Sequence, residues 1–313
     1  MLKGPTIFDI FSNPSAFNIV SWVLSIIASG IALFIFYPHY QKILACPNTH
    51  SKRHTLRVLY MTPSFAILSL LGLFFPRTSA LFAVLRSVVE SRAIYGYVAL
   101  LLDELGGFDK AVQSMMSMHD SGKFLAVPPC CCCLRPCCPT IPMSSRLISF
   151  CRKLAMQAVY AIPILAYLHL WVELEKVRDH ASYYDNVIIT IQALEVLTVM
   201  FAFWGMMILF FASREVIASF NPGRKMIAIK LVLFVGVVQT FVLSLSLSST
   251  SGNNDLYDQA YEVTAWSNFL LCLESAPLAL LMRWSYPARE LQFEALNSIA
   301  KDTYGAVEVT SSI

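Results

Sequence analysis

Apolar residues fall in seven long runs along the chain, and polar residues collect between them. The runs are Phe17–Tyr37, Val58–Phe75, Ala80–Leu102, Leu154–Val172, Val187–Ala212, Met226–Leu247 and Val263–Met282. Each is about 20 residues long, which is what an α-helix needs to cross a bilayer core. The first run is uncharged from Ile10 to Pro38. The third departs furthest from the pattern, because Arg86, Glu90 and Arg92 lie inside it. The pattern predicts an all-α membrane protein with seven transmembrane helices. It divides into an N-terminal segment at 1–16, a transmembrane domain at 17–284 with a cysteine-rich loop at 103–153, and a tail at 285–313.

Composition agrees with that reading. Of 313 residues, 57% are hydrophobic and 14% are charged, against about 25% charged in a soluble domain. Too few polar side chains exist to cover a globule facing water. No zinc-finger spacing and no basic stripe with interleaved aromatics occurs, so a nucleic-acid partner is not expected. The N-terminus lacks the layout of a cleaved signal peptide: Lys3 is its one early base and Asp9 precedes the apolar run.

Orientation follows from Lys and Arg in the connecting segments. Alternate segments carry sixteen on one side, among them Lys42, Lys52, Arg53, Arg57, Lys123, Arg135, Arg224 and Arg289. The other side carries four: Lys3, Arg77, Lys176 and Arg178. This asymmetry puts the N-terminus outside and the C-terminus in the cytosol. The segment "SSTSGNNDLYDQAYE" contains no Lys or Arg, as an outside loop should.

The stretch "VPPCCCCLRPCCP" (Val127–Pro139) then lies in the cytosol, with six of the nine cysteines of the chain. A reducing compartment disfavours disulfides there. Adjacent cysteines between stiff prolines do not wrap one zinc ion as spaced pairs do, so no metal site is expected. An unmodified thiol loop and an S-acylated loop remain. Juxtamembrane cytosolic cysteines are the usual acyl acceptors, and two acyl chains would hold the loop at the membrane.

Ionisable groups at bilayer depth are functional candidates, because hydrocarbon penalises them unless they are paired or face a cavity. Glu90, Glu195 and Glu274 fall near the middle of their runs, and Gln239 and Asn268 are also deep. Arg86 and Glu90 stand one turn apart and can pair, while Arg92 points elsewhere. Two readings stand for this set: structural pairs between helices, or contacts of Arg86 or Arg92 with an anionic head group. The seven residues Arg86, Glu90, Arg92, Glu195, Gln239, Asn268 and Glu274 are the candidate substrate-binding set. Asp103 and Glu104, just before Gly106 and Gly107, read as a solvated helix end, with a cap on the inner mouth as the alternative. Pro63, Pro163 and Pro277 lie within runs and predict kinks, and "FNPG" (Phe220–Gly223) predicts a turn.

Several blocks resemble the organic solute transporter alpha family, a superfamily that includes the transmembrane-protein-184 group. They are "LRVLYMTPSFAILSLLGLFFP", "VVESRAIYGYVALLLDELGG", "GKF" with "PPCCCC", "FFASREVIASFNPGRKMIAIKLVLF" and "NFLLCLE", in family order from about Leu56 to Arg289. The resemblance implies a non-enzymatic carrier of amphipathic organic solutes, such as steroid conjugates or bile-acid-like and lipid-like molecules, by facilitated diffusion. It implies a single-span beta subunit as partner beside the lipid bilayer. It also implies acylation at Cys130, Cys131, Cys132, Cys133, Cys137 and Cys138, with covalent palmitate and no other cofactor. The expected location is the plasma membrane, with an endomembrane as alternative. No G-x-x-x-x-G-K-[ST] stretch occurs, so ATP is not the expected driver. The competing reading is a receptor-like or accessory seven-helix protein that acts on signalling, trafficking or lipid composition.

Overall fold

The computed structural model describes residues 16–47, 49–118, 144–179, 183–214, 216–232, 239, 242–243 and 256–292. Among the described residues all regular structure is helical. In chain order the helices are α1 (Ala16–Leu44), α2 (His50–Leu59), α3 (Met61–Phe74), α4 (Ser79–Glu104), α5 (Phe108–Met118), α6 (Ser145–Asp179), α7 (Tyr183–Ser213), α8 (222–232) and α9 (Leu256–Ser285).

Among the described residues, five stretches are long and apolar enough to cross a membrane: Asn18–Leu44, His50–Phe74, Ser145–Glu175, Asn186–Ser213 and Glu262–Gln292. They cover, to within one residue at an end, the first, second, fourth, fifth and seventh apolar runs. The third run forms α4, whose 26 residues reach about 39 Å at 1.5 Å each but carry three charges in its apolar part. The sixth run is described at its start and at 239 and 242–243. The six-cysteine loop lies outside the described residues.

Packing places α4 at the centre. Helices α1, α3 and α9 pack on one another, and α3 packs on α4. On its other side α4 packs along α6, and α6 packs along α7. A helix covered on both sides can hold charges that a lipid-facing helix could not. The second half of α4 is the most deeply buried part, with Ala93, Ile94, Tyr97, Val98, Leu100 and Leu101 in the core.

Local chemistry sets the helix ends. Pro63 lacks an N–H and its ring crowds the carbonyl of Leu59, and the chain accordingly breaks at Tyr60, between α2 and α3. The second apolar run is thus two helices, the first of them starting at His50 rather than Val58. Thr49 caps α2, its hydroxyl accepting from the Lys52 N–H at 3.2 Å. The Lys52 ammonium donates to the carbonyls of Leu44 and Cys46, at 2.7 and 2.6 Å, and so closes the C-terminus of α1. Helix α4 ends in two left-handed glycines: Gly106 donates to Asp103 at 2.8 Å and Gly107 to Leu102 at 3.0 Å. The "FNPG" turn forms as expected. Asn221 takes the left-handed conformation (φ 48°) that its short amide tolerates. Pro222 then opens α8, where a missing N–H leaves no bond unmade.

Helices α6 and α7 approach closely at Gly205. A Cβ there would sit 2.9 Å from the Cys151 carbonyl oxygen and 3.1 Å from the Leu154 Cβ. At the exposed Gly30 of α1 the same atom would meet nothing within 4 Å. Gly205→Ala should therefore destabilise the purified protein by about 1–3 kcal/mol through overpacking. Gly30→Ala should leave the melting temperature in detergent at or above the wild-type value.

Candidate functional site

The charged face of α4 meets a polar seam built from three other helices. The first apolar run places Ser21, Ser25 and Ser29 on one face of α1, four residues apart, and all three are buried. Helix α3 adds Thr62 and Ser69, and α9 adds Ser267, Asn268 and Ser275, also buried. Among these neutral groups lies Arg86, half-buried. Its Nη1 donates to Ser69 Oγ at 2.9 Å and to Asn268 Oδ1 at 2.7 Å. One nitrogen of the guanidinium thus ties α4 to α3 and to α9. Both of those helices lie in stretches long and apolar enough to cross a membrane.

Asn268 reaches Arg86 because Gly72 leaves it room. A Cβ on Gly72 would come within 2.8 Å of Asn268 Nδ2. The amide orientation follows from chemistry: a guanidinium only donates, so the Asn268 oxygen must face it and the nitrogen must face Gly72. One turn along α9, the Cys272 thiol lies beside Ser25 and Ser29. One residue before Asn268, the Ser267 carbonyl accepts from Gln239 Nε2 at 3.1 Å.

The structure therefore brings together Arg86 and Asn268 of the seven candidate residues, and Gln239 reaches the same stretch of α9 through the Ser267 backbone. Glu90 stands within electrostatic reach of both Arg86 and Glu195. It makes no ion pair within 4.0 Å with Arg86, whose near partners are the neutral Ser69 and Asn268. Glu195 is half-buried on α7, within reach of His169 of α6. Glu274 is half-buried on α9, and its Oε2 accepts no hydrogen bond from a described residue. Arg92 is exposed, on a different face of α4 from Arg86. Ser69, Gly72 and Cys272 were not among the candidates. The serine spacing on α1 was the available signal for a seam, whereas nothing local to Ser69 or Gly72 marks them.

A second ionic cluster closes the C-terminal end of α4. Here the expectation of a solvated end at Glu104 fails, because its side chain is only 5% exposed. Glu104 Oε1 accepts from Ser51 Oγ of α2 at 3.1 Å and lies 4.0 Å from Lys225 Nζ of α8. Lys225 Nζ stands 2.8 Å from Glu290 Oε2, just beyond α9, and Arg224 Nη2 stands 3.6 Å from Glu290 Oε1. The Tyr97 hydroxyl of α4 donates to the Pro222 carbonyl at 3.4 Å. Asp103 faces His54 of α2 at 3.2 Å. Four segments distant in sequence meet here, and their mutual neutralisation lets the charges leave water.

The sequence matches the organic solute transporter Ostalpha family over residues 18–291, a span that contains α4, the seam and the Lys225 cluster. The chain belongs to that family. It is also similar to a zebrafish (Danio rerio) protein, organic solute transporter subunit alpha, with 22% identity over 287 residues. Those residues make up 91% of this chain and 86% of the zebrafish protein. No solved structure matches the chain.

Membership in the Ostalpha family supports a solute-transport role in a multi-pass membrane protein, and with it a non-enzymatic one. Within this Ostalpha chain the Lys225 cluster has a structural part that can be measured. Lys225→Met leaves the buried Glu104 and the half-buried Glu290 beside one fewer cation, and the folded state should lose on the order of 3 kcal/mol. Glu173→Gln, which removes the more exposed His169–Glu173 pair at 3.9 Å, should change stability by less than about 1 kcal/mol. Melting of the two purified variants in the same detergent checks both.

Proposed function

We propose that this chain is the alpha-type subunit of a carrier that moves amphipathic organic solutes by facilitated diffusion. Steroid conjugates and bile-acid-like or lipid-like molecules are the proposed solutes. The observation that carries the proposal is the Arg86 node. A guanidinium held by two neutral groups, with no carboxylate at contact distance, lies in a polar seam between long apolar helices. A cation without a contact anion is costly at membrane depth, and a passing anionic head group offers it one. The seven candidate residues form the proposed solute route, with Arg86, Asn268 and Gln239 at its centre.

The proposed topology has seven spans, with α4 as the third and the segment from α8 onward as the sixth. The N-terminus is outside, the C-terminus is in the cytosol, and the plasma membrane is the proposed site of action. The zebrafish relative is named as a subunit, which supports a partner chain here too, proposed as a single-span beta subunit. Acylation is proposed at Cys130, Cys131, Cys132, Cys133, Cys137 and Cys138. The remaining cysteines are poor acceptors: Cys46, Cys151 and Cys272 are all buried. Burial also pushes the Cys46 thiol above its usual range, although Lys52 pulls it the other way. Less thiolate means a weaker nucleophile.

Two measurements test this reading. Cells displaying the chain, with and without a candidate single-span partner, should show saturable flux of a labelled steroid sulfate in both directions. Absence of flux at confirmed surface display, for several amphipathic anions, would favour the receptor-like or accessory alternative. Metabolic labelling with an alkyne palmitate should mark the wild type. The label should vanish when all six loop cysteines are changed to Ser and persist when Cys46, Cys151 and Cys272 are changed instead. Label that survives loss of the loop cysteines would move the anchor elsewhere.

A further inference from the structure

We infer that Arg86 is a two-pronged receptor for an oxyanion, a carboxylate or sulfate on the solute. Ser69, Gly72 and Asn268 serve as positioning residues that aim its free edge. The inference rests on the carrier reading and adds to it the residues that hold the anionic head group and set its geometry.

A guanidinium carries five N–H donors in a rigid planar fork. Nη1 has two of them, and both are taken, by Ser69 Oγ and by Asn268 Oδ1. The opposite edge, formed by Nη2 and Nε, makes no hydrogen bond or ion pair with another described residue. That edge has the spacing that matches two oxygens of one carboxylate or sulfate. Both Nη1 partners are neutral, so the charge of the fork is not cancelled at contact distance. Glu90, a turn away, compensates it at longer range without filling the fork.

Aim is set by rigid parts. Ser69 is fully buried and Asn268 is 2% exposed, so neither acceptor can swing away without repacking. Ser69 and Gly72 are three residues apart and share a face of α3. The serine supplies one acceptor, and the glycine supplies the notch that seats the other. A Cβ at Gly72 would lie 2.8, 3.2 and 3.3 Å from the Nδ2, Cγ and Oδ1 atoms of Asn268. A side chain at position 72 therefore displaces the amide and, through it, rotates the fork. Arg86 itself is half-buried, so its free edge is not sealed inside protein. A lysine at position 86 would keep the charge but lose the fork.

The test uses the full chain, with its partner if flux requires one, and three ring-matched steroids bearing a sulfate, a carboxylate or a quaternary ammonium group. Purified protein is read by ligand-induced thermal stabilisation, and cells are read by KM and maximal flux. The sulfate and the carboxylate should stabilise the wild type and compete with one another, and the ammonium compound should do neither. Arg86→Gln should weaken anion binding by about tenfold to a hundredfold, as expected for loss of a charge-assisted pair of hydrogen bonds. Arg86→Lys should recover only part of that loss. Gly72→Ala and Asn268→Leu should raise the KM for the anions at unchanged surface level. Wild-type affinity for the sulfate in Arg86→Gln would overturn the inference. So would equal loss of anion and ammonium binding together with a lowered melting temperature, which marks a purely structural arginine. An anion that binds wild type but not Arg86→Gln, with no flux in either, sinks the carrier reading and leaves the receptor site standing. No thermal response of wild type to either anion removes the receptor site itself.

Discussion

A charge on a helix packed among apolar neighbours must be held by something, and α4 carries Arg86 and Glu90 on such faces. The packing of α4 between α3 and α6, and its polar contacts, meet that constraint. Arg86 is held by Ser69 and Asn268 from α3 and α9. The far end of the same helix is held by Ser51, Lys225 and His54 through Glu104 and Asp103. Two polar anchors about 27 Å apart, from position 86 to 104 at 1.5 Å per residue, fix a central helix that apolar packing alone would hold less specifically.

The two anchors differ in chemistry. At the C-terminal end of α4, opposite charges meet at contact distance and cancel, which suits a fixed joint. At Arg86 the contacts are neutral and the nearest acid stands further off. A cation solvated by protein dipoles rather than by an ion pair retains its attraction for a mobile anion. The first arrangement suits architecture, and the second suits a solute that arrives and leaves.

Much of the fold was legible in the sequence, because span length and turn chemistry are local. Five of the seven apolar runs match, to within one residue, stretches fit to cross a membrane, and the Asn221–Pro222 turn is where "FNPG" placed it. The break at Tyr60 was less legible, since a proline near a helix start and one inside a span read alike. The site was legible only in part. Arg86, Gln239 and Asn268 stood out as polar groups in apolar runs; the structure pairs Arg86 with Asn268 and ties Gln239 to the adjacent Ser267 backbone. Ser69 and Gly72 did not stand out, because small residues are ordinary in membrane helices. Their meaning comes from Asn268, about two hundred residues later. Glu104 was misread for the same reason. A double glycine after it signals a helix end, but not that Ser51 and Lys225 will cover that end.

The most direct measurement is a double-mutant cycle between Arg86→Met and Asn268→Leu, read as unfolding free energy of the purified chain in one detergent. If the guanidinium is held as described, the two losses will be non-additive by about 0.5–3 kcal/mol. Losses that add within about 0.5 kcal/mol would mean that Arg86 and Asn268 do not hold one another, and the account of α4 as a pinned central helix would fail.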